Sequence, residues 1–383
     1  MSFAEAMVQS EVGVLKKNRS NRVRVGAVLE PLERRELLSA THFFATQTNL
    51  VSNQAGVATN TDANLTNAWG ISFGPGSEFW VSDNGSGFSS QYDGTGAAAI
   101  PPLVTIPAGG GAASSNPTGQ VFAGGAMSFN VTPEVFVFVG EDGGITGWNG
   151  SGATATMIRD NSASGAVYKG ATIAKDANGQ SELFAANFNA GTIEAYDHTF
   201  APVTLSATAF TDKKVAKGYA PFNVQEVDGN LYVTYAKQDA AKHDDVKGAN
   251  HGFVDVFDTT GNLVRRFGRG GFMNSPWGVA KVPSTWGSIA GDILVGQFGS
   301  GRIEIFTPTG KARGFLKDNN NKPLTVDGLW AITPGPGSAT ASTDDLFFTA
   351  GPDDEKNGLF GKLVFGTKTV QGNSGGGGGG FPY

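Results

Sequence analysis

The chain has 383 residues with Lys+Arg 28 against Asp+Glu 34, a formal net charge of -6, which excludes a polybasic surface for nucleic acid. No stretch approaches the roughly 20 apolar residues of a membrane-spanning helix. Cys 0 excludes disulfides, thiolate nucleophiles and cysteine-ligated metals, so any metal would need Asp, Glu, Asn, His or carbonyl ligands. Gly 56, Pro 17 and Phe 27 describe many short strands joined by tight turns around an aromatic-rich core, which favours an all-β fold.

In chain order, residues 1–40 stand apart. Basic residues cluster at Lys16, Lys17, Arg19, Arg22 and Arg24, followed by VLEPLERRELLSA from Val28 to Ala40. An ordinary signal peptide is excluded, because the segment lacks an apolar run of about 7 to 15 residues. Leu29, Glu30, Pro31, Leu32, Glu33, Arg35, Leu37, Leu38 and Ser39 resemble the LEPR-XLL N-terminal motif of exported planctomycete-type proteins. That resemblance implies an exported, extracellular or cell-surface protein; a short amphipathic helix with a solvated charged face accounts for the same residues. At the other end, residues 368–383 close in a glycine run that reads as a flexible tail, since glycine cannot offset its ordering entropy by burial.

Residues 41–367 carry an internal repeat. Six short aromatic-and-glycine starts occur: NAWGI at Asn67, NPTGQ at Asn116, VYKGA at Val167, APFNV at Ala220, SPWGV at Ser275 and DGLWA at Asp327. Measured at Trp69, Thr118, Lys169, Phe222, Trp277 and Leu329 the spacings are 49, 51, 53, 55 and 52, the period of a propeller blade. Each start leads into a second β-type run, such as EFWVSDN from Glu78 and DILVGQF from Asp292, and then a third such as GTIEAYD from Gly191. Fourth strands are expected at PPLVTIP from Pro101, ATMIRD from Ala155, PVTLSATAF from Pro202, NLVRRFG from Asn262 and KARGFL from Lys311. The sixth blade lacks one. The β-rich segment THFFATQTNLVS, Thr41 to Ser52, is free to supply it, so the chain is read as a six-bladed β-propeller closed by an N-terminal strand.

The run PWGVAKV with DILVGQFGSGRIEIFTPTG, Pro276 to Gly310, looks like an NHL-type repeat. Over residues 41–365 the chain also resembles an uncharacterised family of exported bacterial propeller proteins, through TQTNLVSNQ (Thr46 to Gln54), NLTNAWGISFGPGSEFWVSDNGSG (Asn64 to Gly87), GEDGGITGWN (Gly140 to Asn149) and NFNAGTIEAYD (Asn187 to Asp197). That resemblance implies export and brings no activity with it.

First and second strands of a blade run antiparallel, so the start of one and the end of the other meet at one mouth of the central channel. This places Asn67, Asn116 and Asp327 with Asp83, Asn84, Glu141, Asp142, Asn187, Asp239, Gln297 and Asp353. A hard cation such as Ca²⁺ would draw its oxygen ligands from Asn67, Glu141, Asn187 and Asp327, an arrangement like that at the mouth of lactonase propellers. Asp and Asn also end strands as turn formers that bond their own backbone, and this accounts for the same pattern. His243 and His251, with Lys237, Asp244 and Asp245, lie in the longest insertion of the ring, in blade four, and form either a lid or a solvated loop. Asp353, Glu355 and Asn357 begin a run like a calcium loop, but its twelfth position is Val364 where a bidentate Glu is needed. Trp69, Phe222, Trp277 and Trp330 either line the mouth or pack blade on blade.

No Walker motif, no HExxH and no meaningful GxSxG is present. The sequence therefore favours a non-catalytic binding or scaffold propeller, a monomer that recruits an extracellular protein, peptide or polysaccharide at one face. The alternative is a metal-dependent hydrolase or lactonase with Ca²⁺ at the channel mouth.

Overall fold

The computed structural model describes residues 40–269 and 271–370. Residues 1–39 of the expected export segment 1–40 and residues 371–383 of the expected tail 368–383 lie outside the described residues; Ala40 instead opens the closing strand, and residues 368–370 continue the last strand of blade six rather than a flexible tail. Six small sheets, antiparallel but for one short edge strand, make a six-bladed β-propeller. Among the described residues no helix is long and apolar enough to cross a membrane.

Blade one is built from Ala68–Ser72, Phe79–Asp83, Phe88–Tyr92 and Ala98–Thr105, and blade two from Pro117–Phe129, Thr132–Gly140, Gly144–Trp148 and Thr156–Asp160. Blade three holds Tyr168–Lys175, Ser181–Asn187 and Thr192–Tyr196; blade four holds Tyr219–Val227, Asn230–Lys237, Gly252–Phe257 and Leu263–Arg269. Blade five follows with Pro276–Lys281, Ile293–Gln297, Ile303–Phe306 and Ala312–Phe315, and blade six with Leu329–Pro334, Leu346–Ala350 and Leu359–Val370. Strand Ala40–Ser52 lies beside Leu359–Val370 as the fourth strand of blade six, so both ends of the ring share one sheet, as the sequence predicts. Ser52 Oγ donates to the carbonyl of Gly358 at 3.0 Å, and the Gly358 N–H donates to Asn53 Oδ1 at 3.0 Å.

Blade three departs from expectation: PVTLSATAF from Pro202 forms no strand. After a single bridge, Tyr196 with Pro202, and one bond from the Val203 N–H to the Ala195 carbonyl, the chain turns on itself at Ser206 to Ala209. The Phe210 N–H then bonds the Gly261 carbonyl of blade four, and its ring is buried beside Phe184 and Phe257. Burial of that ring between blades outweighs the few ladder bonds an outermost strand would add.

The inner strands explain how the axis is built. In every blade the first strand bulges directly after one residue: Ala68, Pro117, Tyr168, Pro221, Pro276 and Leu329. A bulge re-aims the next side chain. Those next residues are Trp69, Thr118, Lys169, Phe222, Trp277 and Trp330, so the sixth axial position is Trp330 rather than the Leu329 of the sequence reading. Glycine follows several of them because neighbouring blades touch there. A Cβ on Gly119 would lie 2.5 Å from the Ala171 nitrogen, and one on Gly278 would lie 2.6 Å from the Trp330 carbonyl oxygen.

Candidate functional site

Trp69, Phe222, Trp277 and Trp330 close the axis together with Phe188 and Phe298, and each is almost fully buried. Trp69 stacks on Trp330 with centroids 3.6 Å apart, and Trp277 meets both edge-on at 6.2 and 6.0 Å. These aromatics are core, not an open binding surface. On one side of this plug a cavity of about 310 Å³ is lined by Gly70, Gly119, Ala171, Asn223, Gly278 and Ala331, one position from each inner strand.

A polar mouth is organised around Lys169, the charged member of the axial set. Its side chain is 2% exposed, and its Nζ lies 5.2 Å from the Trp69 ring centroid and 5.9 Å from that of Phe188. The ammonium bonds Glu141 Oε1 and, at 3.0 Å, Asp244 Oδ1. From Glu141 the network runs back around the ring. Asn84 Nδ2 donates to Glu141 Oε2 at 2.9 Å, Asn67 Nδ2 donates to Asn84 Oδ1 at 3.0 Å and to Glu355 Oε2 at 2.8 Å, and Trp330 Nε1 donates to Asn67 Oδ1 at 3.0 Å. Side chains from blades one, two, three, four and six are thereby tied into one chain of bonds.

Part of this mouth is held in costly backbone. Asp353, Asp354 and Glu355 have φ of 59, 50 and 65°, a left-handed turn that non-glycine residues seldom adopt in succession, and Asn67 has φ 49°. Such outliers persist where surrounding contacts over-determine them. Here they carry Glu355 to Asn67.

Residues 238–251, the insertion of blade four, cross the mouth as a strap. Gln238 Nε2 donates to the Phe188 carbonyl at 2.6 Å, the Gly248 N–H donates to Asn274 Oδ1 at 2.6 Å, and Ser275 Oγ bonds Asp245. Lys247 Nζ lies 4.3 Å from the Phe298 centroid and 3.5 Å from Asp354 Oδ1. His243 Nδ1 is 3.0 Å from Asp244 Oδ1, while both side chains remain exposed, 46% and 65%.

Charges shift accordingly. The His243 hydrogen bond, aided by Lys169, holds the Asp244 carboxyl far below its usual range, and the same bond raises the imidazole of His243. Burial alone would depress Lys169, but Glu141 and Asp244 outweigh it and hold the ammonium above its ordinary value. Desolvation raises Asp245 and Glu355.

Of the residues singled out by sequence, Asn67, Asn84 and Glu141 converge here, and Asn116 sits one step outward, its amide donating to the Asn84 carbonyl at 3.2 Å. The others turn elsewhere. Asn187 Nδ2 donates to Glu194 Oε1 at 2.7 Å, while its Oδ1 accepts the Ala190 N–H at 3.1 Å. Gln297 Nε2 donates to Glu304 Oε2 at 3.1 Å, Asp142 Oδ1 accepts the Gly144 N–H at 2.8 Å, and Asp327 Oδ2 accepts the Asp353 N–H at 3.0 Å. Asp83 is fully buried against Ser90. The set Asn67, Glu141, Asn187 and Asp327 therefore does not come together. Ligand atoms of Glu141, His243 and Asp244 do lie within 4.8 Å of one another.

Lys169, Asp244 and Glu355 are the mouth residues that strand-end reasoning passed over. Lys169 had a signal, being a charge in a register otherwise filled by Trp, Phe and Thr.

No family model matches the chain. It is 27% identical over 328 residues to the uncharacterised protein R648 of Acanthamoeba polyphaga mimivirus, covering 82% of this chain and 78% of that one. It is 29% identical over 347 residues to the uncharacterised protein L690 of the same virus, covering 82% and 84%. Among solved structures it is similar to a structural-genomics protein of unknown function from Bacteroides thetaiotaomicron, with TM-score 0.51 and 11% identity over 85% of this chain and 77% of that one. That last likeness concerns the fold alone.

Proposed function

We propose that the chain is a non-catalytic binding propeller that recruits a protein, peptide or polysaccharide at the strap-covered mouth, and that the ligand presents a carboxylate to Lys169. One observation carries this reading: the buried ammonium has one sheltered partner, Glu141, and one exposed partner, Asp244, on a loop from another blade. An exposed counter-ion is the member of such a trio that a partner's carboxylate replaces at least cost. The LEPR-XLL resemblance, in residues outside the described ones, supports export of this module to an extracellular setting.

The test is a panel of acidic and neutral peptides and polysaccharides presented to wild type, Lys169→Met and Asp244→Asn. Binding of acidic members, lost in Lys169→Met and strengthened several-fold in Asp244→Asn, is the expected result. Ligands held equally by all three proteins would place the binding face elsewhere.

A metal-dependent hydrolase is the second reading, and the closeness of Glu141, His243 and Asp244 favours it. The fit is poor for Ca²⁺, which takes oxygen ligands, whereas this trio includes an imidazole nitrogen. Lys169 already sits between the two carboxylates, so any ion would have to displace its ammonium. Elemental analysis of purified protein tests it: stoichiometric metal lost on Glu141→Gln supports this reading, and metal-free protein that stays so in excess divalent cation removes it.

A further inference from the structure

A second polar cluster lies at the seam where blade one meets the closing blade. The inward face of blade one alternates Phe79, Val81 and Asp83 on its second strand with Phe88, Ser90 and Tyr92 on its third, register partners 83 with 88, 81 with 90 and 79 with 92. Phe79, Val81 and Tyr92 bury themselves against Phe347 and Phe360 of blade six. Asp83 shares their face and has no solvent exposure. One carboxylate oxygen, Oδ2, accepts Ser90 Oγ; the other, Oδ1, is buried and has no partner among the described residues.

Beside it, Tyr92 Oη donates to Asp62 Oδ2 at 2.8 Å. Asp62 follows the short strand Asn60–Thr61 that pairs in parallel with the closing strand, and its N–H bonds the Ser52 carbonyl at 3.0 Å. Burial lifts the Asp83 carboxyl well above its usual range, the charge of Asp62 adds to that lift, and no cation is among the groups that act on it. A buried carboxylate left with an empty oxygen is costly unless something positive meets it.

We infer that the Asp62, Asp83, Ser90 and Tyr92 oxygens form a hard-cation site, of the Ca²⁺ type, that fastens the ring closure. Two carboxylates match one divalent charge, the hydroxyls of Ser90 and Tyr92 keep lone pairs free for coordination, and water completes the six to eight ligands such an ion takes. Asp62 is half-buried, which leaves a way in from solvent. This site is separate from the mouth and does not rest on the proposed function.

The experiment uses the full chain, stripped with a chelator, and follows melting temperature while CaCl₂ is added to millimolar levels. Wild type and Asp244→Asn should gain several degrees, and Asp83→Asn should gain nothing. Terbium luminescence supplies a readout if Asp83→Asn does not fold. Tb³⁺ excited through tyrosine should emit with wild type, lose most of that emission in Tyr92→Phe, and be displaced by Ca²⁺. A gain lost in Asp244→Asn but kept in Asp83→Asn would move the ion to the mouth. No response to Ca²⁺ together with no terbium emission would show that the pair shares a proton instead; either result overturns the site.

Discussion

Lys169 Nζ lies 3.0 Å from Asp244 Oδ1, although the lysine is buried at the axis of blade three and the aspartate stands exposed on a loop of blade four. Glu141 of blade two completes the trio, so three consecutive blades meet at one ammonium. A charge withdrawn from water in this way is tolerated only while its partners stay in place.

Lys169→Met leaves Glu141, whose side chain is 11% exposed, without its cation. Removing one partner of a buried pair costs about 3 kcal/mol. Urea denaturation should show a lowered midpoint of that order, and Lys169→Met with Glu141→Gln together should recover part of it. A midpoint within error of wild type would mean that the pair is solvated.

The strap should respond to pH. A raised His243 contributes its share fully below about pH 6.5 and loses it as pH rises through its folded value; a lowered Asp244 contributes above about pH 4 and loses it on acidification. The latch is therefore complete between about pH 4 and 6.5 and weakens above that range. Imidazole titration by NMR should place His243 above the ordinary histidine value, and Asp244→Asn should return it there. A wild-type His243 that titrates ordinarily would break this link.

Gly119→Ala puts a methyl group against the Ala171 backbone nitrogen. Overpacking between first strands should cost about 2 kcal/mol, because neither backbone can yield without shifting a blade. A melting temperature unchanged by the substitution would mean that the axis is looser than the 2.5 Å approach requires.

At the hairpin tip of blade two, Asn130 and Val131 have φ of 48 and 64°, and Val131 is 95% exposed. A β-branched residue pays strain there without any packing return, whereas Asn-Gly suits this two-residue turn. Val131→Gly should stabilise by about 1 kcal/mol, read as a raised denaturation midpoint. A lowered midpoint would show that the turn is relaxed.

The ring was legible in the sequence because each blade repeats the same local demands: an aromatic or glycine start, a β-branched second run and an alternating third. The closing strand was legible for the complementary reason that Thr41 to Ser52 had no blade of its own and blade six lacked an edge partner. Leu329 was misplaced by one residue because a bulge, invisible in sequence, turns Trp330 to the axis. The site was only partly readable. Asn67, Asn84 and Glu141 sit at strand ends whose direction the fold dictates, but Asn187 and Asp142 share that position and instead satisfy backbone in their own turns. Asp244 and Glu355 reach the mouth through a long insertion and a left-handed turn, and no periodicity announces either one.

Lys169 holds the strap over the mouth, and hydrogen exchange across residues 238–251 reads that hold amide by amide. In wild type the Gly248, Val246 and Asp239 amides, each bonded to an acceptor, should exchange slowly. In Lys169→Met the same amides should lose protection while the inner strands of the blades keep theirs. Equal protection of the strap in both proteins would show that Lys169 does not hold it.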